Sequence, residues 1–236
     1  MIISPGARRL EPEVMDRPDL EESRHHDALH GLARINLWSR AAAPLFNAVT
    51  KLMHDKSLPS VRILDLASGG GDVPVRLWHM ARRRALRLEI EGCDVSARAV
   101  EFARRRAERS GAKVSFFTHD VVNEGVPAGY DILTCSLYLH HLSDPNAQAL
   151  LARMGRSAGH MVAVDDLRRS PMGIALAAAG TRLLTRSDVV HTDGPRSVRA
   201  AFTVEEAKEL GERAGLHGCA IRPHWPFRFL LTWRKG

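Results

Sequence analysis

Apolar positions along the chain recur in two alternating rhythms. Short β-branched or alternating runs at Val61–Ala67, Leu86–Asp94, Lys113–Thr118, Tyr130–Ser136 and His160–Asp166 predict five strands. Between them, patterns with helical spacing at Val73–Arg84, Ser96–Ser110 and Asp144–Ser157 predict helices. The second of these opens on a serine cap and stops before Gly111, and the third carries Pro145 at its first position. Regular alternation of strand and helix predicts an α/β, doubly wound parallel sheet with crossover helices. After the fifth strand the rhythm changes. Ser170–Leu184 predicts an apolar helix, Arg186–Arg199 reads as a polar loop around Gly194 and Pro195, and Thr203–Ala214 opens on TVEE, a capping box in which Glu206 reaches back to Thr203. Two final runs, Cys219–Pro223 and Phe229–Trp233, are so close in sequence that they are expected to pair antiparallel.

Upstream of the first strand, Leu29, Leu32, Ile35, Leu37, Leu45, Phe46 and Val49 mark two helices interrupted at Pro44, an N-terminal helical extension that covers the core. Residues 1–22 are rich in Pro, Glu and Arg without periodicity and are expected to form a mobile arm. With 236 residues, 44% hydrophobic and 26% charged, the chain is long enough for one sizeable α/β domain with extensions. No sustained apolar stretch follows a basic region near the start, so a secretory signal is not expected and the cytoplasm is the expected location. Cys93, Cys135 and Cys219 are odd in number and widely spaced, as reduced core residues would be. The net charge of +7 is concentrated: residues 76–113 hold eleven basic and five acidic side chains. These cations complement helix C-termini, or form a patch for peripheral contact with an anionic membrane or another polyanion. The sequence leaves the oligomeric state open.

The stretch LDLASGGGD, Leu64–Asp72, places a glycine-rich turn at the end of a buried strand, with Asp72 able to cap the following helix and Pro74 in its first turn. A dinucleotide fingerprint would need a third glycine where Pro74 stands, and no GK[ST] follows as a P-loop requires. Acids recur at the carboxyl ends of successive strands: Asp94 after the second, where an acid accepts ribose hydroxyls, and Asp120 after the third. Asp65, Ala67, Gly69 and Gly71 resemble the DxGxGxG motif of class I S-adenosylmethionine-dependent methyltransferases of the small-molecule type, similar to those that tailor quinones and polyketides, with Ala67 in the first glycine position.

That resemblance implies a seven-stranded sheet of order 3-2-1-4-5-7-6 with the last strand antiparallel. It implies S-adenosyl-L-methionine as cofactor, approached by Asp65, Ala67, Ser68, Gly69 and Gly71, with Asp94 and Val95 at the ribose, Asp120 and Val121 at the adenine, and Ser136 at the methionine end. Arg34, with Asn36 and Trp38, is a further candidate from the helical cover. The implied division is an arm and cover at 1–52 and a methyltransferase domain at 53–236, in which 170–200 is an insertion on the acceptor side.

Methyl transfer from a sulfonium needs an aligned acceptor and a base near neutral pH. His140 and His141 in LYLHHLSDP follow the fourth strand and are the titratable pair, and His191, Asp193 and Arg196 in the insertion are candidates for acceptor contacts. No metal is expected, because Asp165 and Asp166 are adjacent on a strand and point apart. The Asn/Asp-Pro-Pro-aromatic run of adenine methylation is missing after the fourth strand, which disfavours nucleic acid as substrate. The expected function is O- or C-methylation of a small apolar or phenolic metabolite. An RNA methyltransferase using the basic patch and a non-catalytic cofactor-binding protein remain as alternatives.

Overall fold

The computed structural model describes residues 6–17 and 19–236, and its strands are buried in proportion to how central they lie. Strands β1 (Ser60–Leu66), β2 (Arg87–Asp94), β3 (Val114–Thr118), β4 (Ile132–Ser136), β5 (Met161–Leu167), β6 (Ala220–His224) and β7 (Arg228–Arg234) form one sheet of order β3-β2-β1-β4-β5-β7-β6. Neighbours from β3 to β5 run parallel, and β7 is antiparallel to both β5 and β6. This is the predicted doubly wound order. The central strands β4 and β5 are covered on both faces, hence their continuous apolar runs, whereas edge strand β6 is largely exposed.

Helices α1 (Glu22–Trp38), α2 (Ala42–Asp55), α3 (Asp72–Arg83), α4 (Ala97–Ser110), α5 (Asp144–Ser157), α6 (Pro171–Leu184), α7 (Asp188–Ala200) and α8 (Val204–Arg213) cover the sheet. One core layer joins α2, α3 and α4 to the sheet through Phe46, Leu52, Leu77 and Ala103, all fully buried. A second joins α5 and α8 through Leu150, Leu151 and Leu210. The capping box of α8 is formed by Thr203 and Glu206, as its sequence predicts. All three cysteines are unpaired and buried. Among the described residues, no helix is long and apolar enough to cross a membrane.

The structure corrects four local expectations. The break between α1 and α2 falls at residues 39–41, and Pro44 sits in the first turn of α2, where its missing N–H costs nothing. Asp72 is the first residue of α3 and not its cap: Gly71, in the left-handed region at φ +69°, holds that position. The expected loop 186–199 is helix α7, with Pro195 inside it. Its Ser187 side chain accepts from the Val190 N–H as N-cap, and burial of Val189, Val190 and Val198 outweighs the hydrogen bond that Pro195 cannot make.

The arm is the fourth correction. Residues 1–5 and Pro18 lie outside the described residues, but from Gly6 onward the arm is fixed to the domain. Arg8 spans the loop after β4 and the end of α7, donating to the carbonyls of Ala200, His140 and Leu142, with its Nη1 2.6 Å from Asp144. Farther on, Asp193 accepts from the N–H groups of Val14 and Met15 at 2.9 and 3.0 Å. The apparent lack of periodicity therefore marks an extended segment held by its backbone, not a loose one.

Candidate active site

Parallel strands bring their carboxyl ends to one edge of the sheet, and a cavity of about 640 Å³ opens there. The turn after β1 forms its floor. Ala67 adopts φ +52° and Gly69 φ +51°, so the backbone doubles back with its peptide groups facing the cavity. Ala67 thus occupies a conformation suited to glycine, which is why the resemblance places glycine there. Gly71 does not line the cavity: a Cβ there would lie 2.7 Å from the Phe116 ring and 2.8 Å from Ala103, so its role is the packing of α3 against its neighbours.

Asp94, at the end of β2, braces the turn. One carboxylate oxygen accepts from the Gly69 N–H at 2.8 Å and the other from the Ser96 N–H at 2.9 Å, while burial pushes its pKa up. Asp65 lies beneath the turn and is fully buried. Its carboxylate accepts from the Thr134 hydroxyl at 2.7 Å, and burial pushes its pKa up to about 6 because no basic side chain pairs with it. Asp120 lines the cavity but closes on its own turn, accepting from the N–H groups of Val122 and Asn123, whose hydrogen bonds lower its pKa. Ser136 ends β4 with a buried hydroxyl that has no protein partner and faces the cavity.

Ser68, Val95 and Val121 line the same cavity, as do Asn36 and Trp38 from α1. Arg34 does not: on α1 it faces solvent, while Asn36, two residues on, points inward. His25, buried on the inner face of α1 with an unpartnered Nδ1, lines the cavity and carries no motif that sequence reasoning could find.

His140 and His141 sit on a 3-10 turn, Leu139–His141, directly after β4, and both line the cavity. His140 is buried, with Nδ1 2.6 Å from Asp166 Oδ1. Burial alone would lower its pKa, but the Asp166 and Glu13 carboxylates raise it to about 10. His141 is partly open, with Nδ1 3.2 Å from Asp16. His191, by contrast, is not at the cavity: it lies on α7 with Nε2 2.9 Å from the Thr185 carbonyl oxygen. Asp193 and Arg196 likewise hold the arm, Arg196 through the Pro12 carbonyl and Glu11. None of these three lines the cavity, for one reason. The segment is a helix whose 3.6-residue period turns Val190, Gly194, Ser197 and Val198 toward the cavity and these three away from it.

Opposite the carboxylates the cavity wall is apolar, built from Leu32, Trp38, Leu142, Leu176, Leu184 and Phe227. The arm closes over it with Glu13, Met15, Asp16 and Arg17. A polar floor of backbone and carboxylates beside an apolar chamber can hold a zwitterionic ligand next to an apolar one.

Residues 63–159 match the family model described as "Methyltransferase domain". No curated protein sequence matches the chain. Its fold is similar to that of an O-methyltransferase family 2 protein from Planctomyces limnophilus DSM 3776 in complex with apigenin, with a TM-score of 0.64, 17% identity, and coverage of 93% of this chain and 63% of that one. It is also similar to the S-adenosylmethionine-dependent methyltransferase SibL, with a TM-score of 0.62, 20% identity, and coverage of 93% and 60%. This chain therefore spans about three fifths of the length of those two proteins. Magnesium protoporphyrin IX methyltransferase from Synechocystis PCC 6803, with bound S-adenosylhomocysteine, is similar at a TM-score of 0.56 and 16% identity over 94% of this chain and 91% of that one. The match at 63–159 and the sheet order agree: this stretch is similar to the methyltransferase-domain family, and the chain has the fold of S-adenosylmethionine-dependent methyltransferases of known structure.

Proposed function

We propose that the protein transfers a methyl group from S-adenosylmethionine to a small apolar or phenolic metabolite, on oxygen or carbon. The observation that carries this reading is one cavity with two linings: the turn after β1 with Asp65, Asp94 and the unpartnered Ser136 on one side, and the apolar wall of α1 and α6 on the other. When bound, the cofactor supplies an electrophilic methyl on a positively charged sulfur. The residues present suit it. Asp65 is a buried carboxylate without a cation and matches the ammonium of an amino acid. Asp94 stands at the strand end where ribose hydroxyls are accepted, and the Gly69 peptide leaves room for close approach.

The chain's own part in the chemistry is alignment and proton handling. The arm and α1 exclude water from above, and the apolar wall holds the acceptor's body. His141, the more open of the histidine pair, receives the acceptor's proton or orients its oxygen, while His140 is tied to Asp166. In the structures of similar fold, apigenin and naphthoic acids are bound by the methyltransferases that contain them, and an aromatic acceptor of that size suits this wall. The basic residues Arg82–Arg84 and Arg109 lie at the C-terminal ends of α3 and α4, at the far end of the sheet from the cavity. A membrane held there would not deliver an acceptor to the cavity.

Calorimetric titration with S-adenosylhomocysteine, with NAD as control, tests the reading. Micromolar binding of the first and none of the second is expected, and turnover is then sought among phenols and hydroxylated naphthoates. Absence of S-adenosylhomocysteine binding would overturn it.

A further inference from the structure

We propose that Glu13, His140 and His141 form a binding site for a divalent transition metal ion, with the N-terminal arm supplying the carboxylate. One ligand atom from each residue lies within 4.8 Å of the others. Glu13 Oε1 is 3.7 Å from His140 Nε2, and Glu13 Oε2 is 3.8 Å from His141 Nε2. Metal–ligand bonds of about 2.0–2.1 Å in a tetrahedron set ligand atoms roughly 3.3 Å apart. Each Glu13–histidine contact needs to close by roughly half an ångström, and the remaining spacing, within 4.8 Å, by up to about 1.5 Å, to hold an ion.

The orientation of the rings supports the site independently. Both imidazoles turn Nε2 toward Glu13 and rest Nδ1 on a second carboxylate, His140 on Asp166 at 2.6 Å and His141 on Asp16 at 3.2 Å. A carboxylate behind Nδ1 holds the proton there, so that it is the Nε2 proton that a metal displaces, the arrangement that metal-bound histidines adopt. Glu13 is held as well, since the Ser197 hydroxyl donates to its Oε1 at 2.5 Å and Asp193 anchors the next two backbone N–H groups. Three carboxylates, Glu13, Asp16 and Asp166, and two imidazoles from the arm, the 3-10 turn and β5 thus converge, more than an acceptor-orienting pair of histidines requires.

Two imidazoles and one carboxylate are a nitrogen and oxygen donor set suited to Zn²⁺, Co²⁺ or Fe²⁺, whereas Mg²⁺ and Ca²⁺ take oxygen ligands. Binding displaces any proton shared between the Nε2 atoms and Glu13 into solvent. Three protein ligands leave at least one coordination position, and because all three residues line the cavity that position opens into it. There it can take an anionic oxygen of the acceptor, so that with the ion bound His141 orients that oxygen through the metal and does not itself receive the proton, and the ion ties the arm over the cavity. The sequence expectation of no metal considered only Asp165 and Asp166, and Glu13 stands far from the histidines in sequence.

The test uses the full chain, freed of metal by a chelator and titrated with Co²⁺ while its visible absorption is recorded, and with Zn²⁺ by calorimetry. Saturation at one equivalent with a visible Co²⁺ band is expected, with affinity reduced at least tenfold in both Glu13→Gln and His141→Ala. Glu13 belongs to no helix or strand, so Glu13→Gln decides the matter if His141→Ala does not fold. Failure of both ions to saturate below millimolar concentration, or equal affinity in Glu13→Gln, overturns the site. The readout needs neither cofactor nor acceptor, so its failure leaves the methyl-transfer reading untouched, and failure of S-adenosylhomocysteine binding leaves the metal site untouched.

Discussion

The Nε of Arg228 donates to Oδ1 of Asp165 across 2.6 Å, with both side chains buried. Arg228 also donates through Nη1 to the Asn36 side-chain oxygen at 3.2 Å, and Asn36 donates on to Asp72 at 3.1 Å. One chain of polar groups thereby ties β7 and β5 to the cover helix α1 and to α3. Breaking a buried pair leaves a charge uncompensated, which costs about 3–5 kcal/mol. Arg228→Met is expected to lower stability by somewhat less than that in denaturant unfolding, because His224 Nε2 stays 2.8 Å from Asp165 Oδ2. The double variant Arg228→Met/Asp165→Asn should recover part of the loss, because the stranded charge is then gone, and an unchanged midpoint in the single variant would show that the pair contributes nothing.

Asp65 gives the pH dependence. Its pKa is about 6 in the folded chain, raised by burial from an ordinary value of 3.8. The folded state therefore binds a proton at Asp65 more tightly than the unfolded one, and the contribution of Asp65 to stability is greatest below pH 4 and falls as pH rises to about 6, by roughly 3 kcal/mol at most. Asp65→Asn removes this penalty, so its melting temperature at pH 7.5 should exceed that of the wild type. The same change should weaken S-adenosylhomocysteine at least tenfold, since the buried carboxylate is what meets the ligand's ammonium. Wild-type affinity should decline as pH is lowered through 6, and Asp65→Asn affinity should not.

The sheet order and the polar floor of the cavity were legible because each rests on a local signal: a buried run, a strand-terminal acid, a glycine turn. Asp94 is such a residue, as two backbone N–H groups converge on the acid that ends β2. The arm and α7 were illegible for the opposite reason. Glu13, Asp193 and Arg196 are explained only by one another, across gaps of about 180 residues, and Pro195 masks the helix that carries two of them. His191 was misplaced by the same fault, since its periodic neighbours Val190 and Val198 already marked a buried helical face.

Ala67 stands at φ +52°, where a Cβ is strained and glycine is not. Ala67→Gly is expected to stabilise the chain by about 0.5–1 kcal/mol, the strain relieved less the backbone entropy that glycine loses. For a chain of this size that is a rise of about 1–4 °C in melting temperature. Affinity for S-adenosylhomocysteine should stay within twofold, because the backbone already has the shape that glycine would permit. A fall in melting temperature would mean that the turn is not held in this conformation.

His141 and His191 separate the cavity from its scaffold. His141→Ala should leave S-adenosylhomocysteine affinity unchanged and lower kcat on a phenolic acceptor by about 10²–10⁴-fold if the ring takes the proton. His191→Ala, whose ring meets only the Thr185 carbonyl, should keep kcat within twofold. Equal losses in the two variants would show that the histidine pair after β4 acts only through packing.

Asp193 controls the arm. Its carboxylate accepts from the N–H groups of Val14 and Met15, and this single side chain fixes the register in which Glu13 and Asp16 reach the histidines. Asp193 sits on α7, away from the turn after β1, so removing it should release the arm without disturbing the floor of the cavity. Asp193→Ala is expected to expose the Arg8–Arg17 segment to trypsin, which cleaves after arginine, and to raise KM for the acceptor while kcat falls less. Melting temperature should drop only slightly, because burial makes Asp193 costly to keep charged and raises its pKa. An arm that stays resistant to trypsin in this variant would show that Arg8 and Arg196 hold it without Asp193.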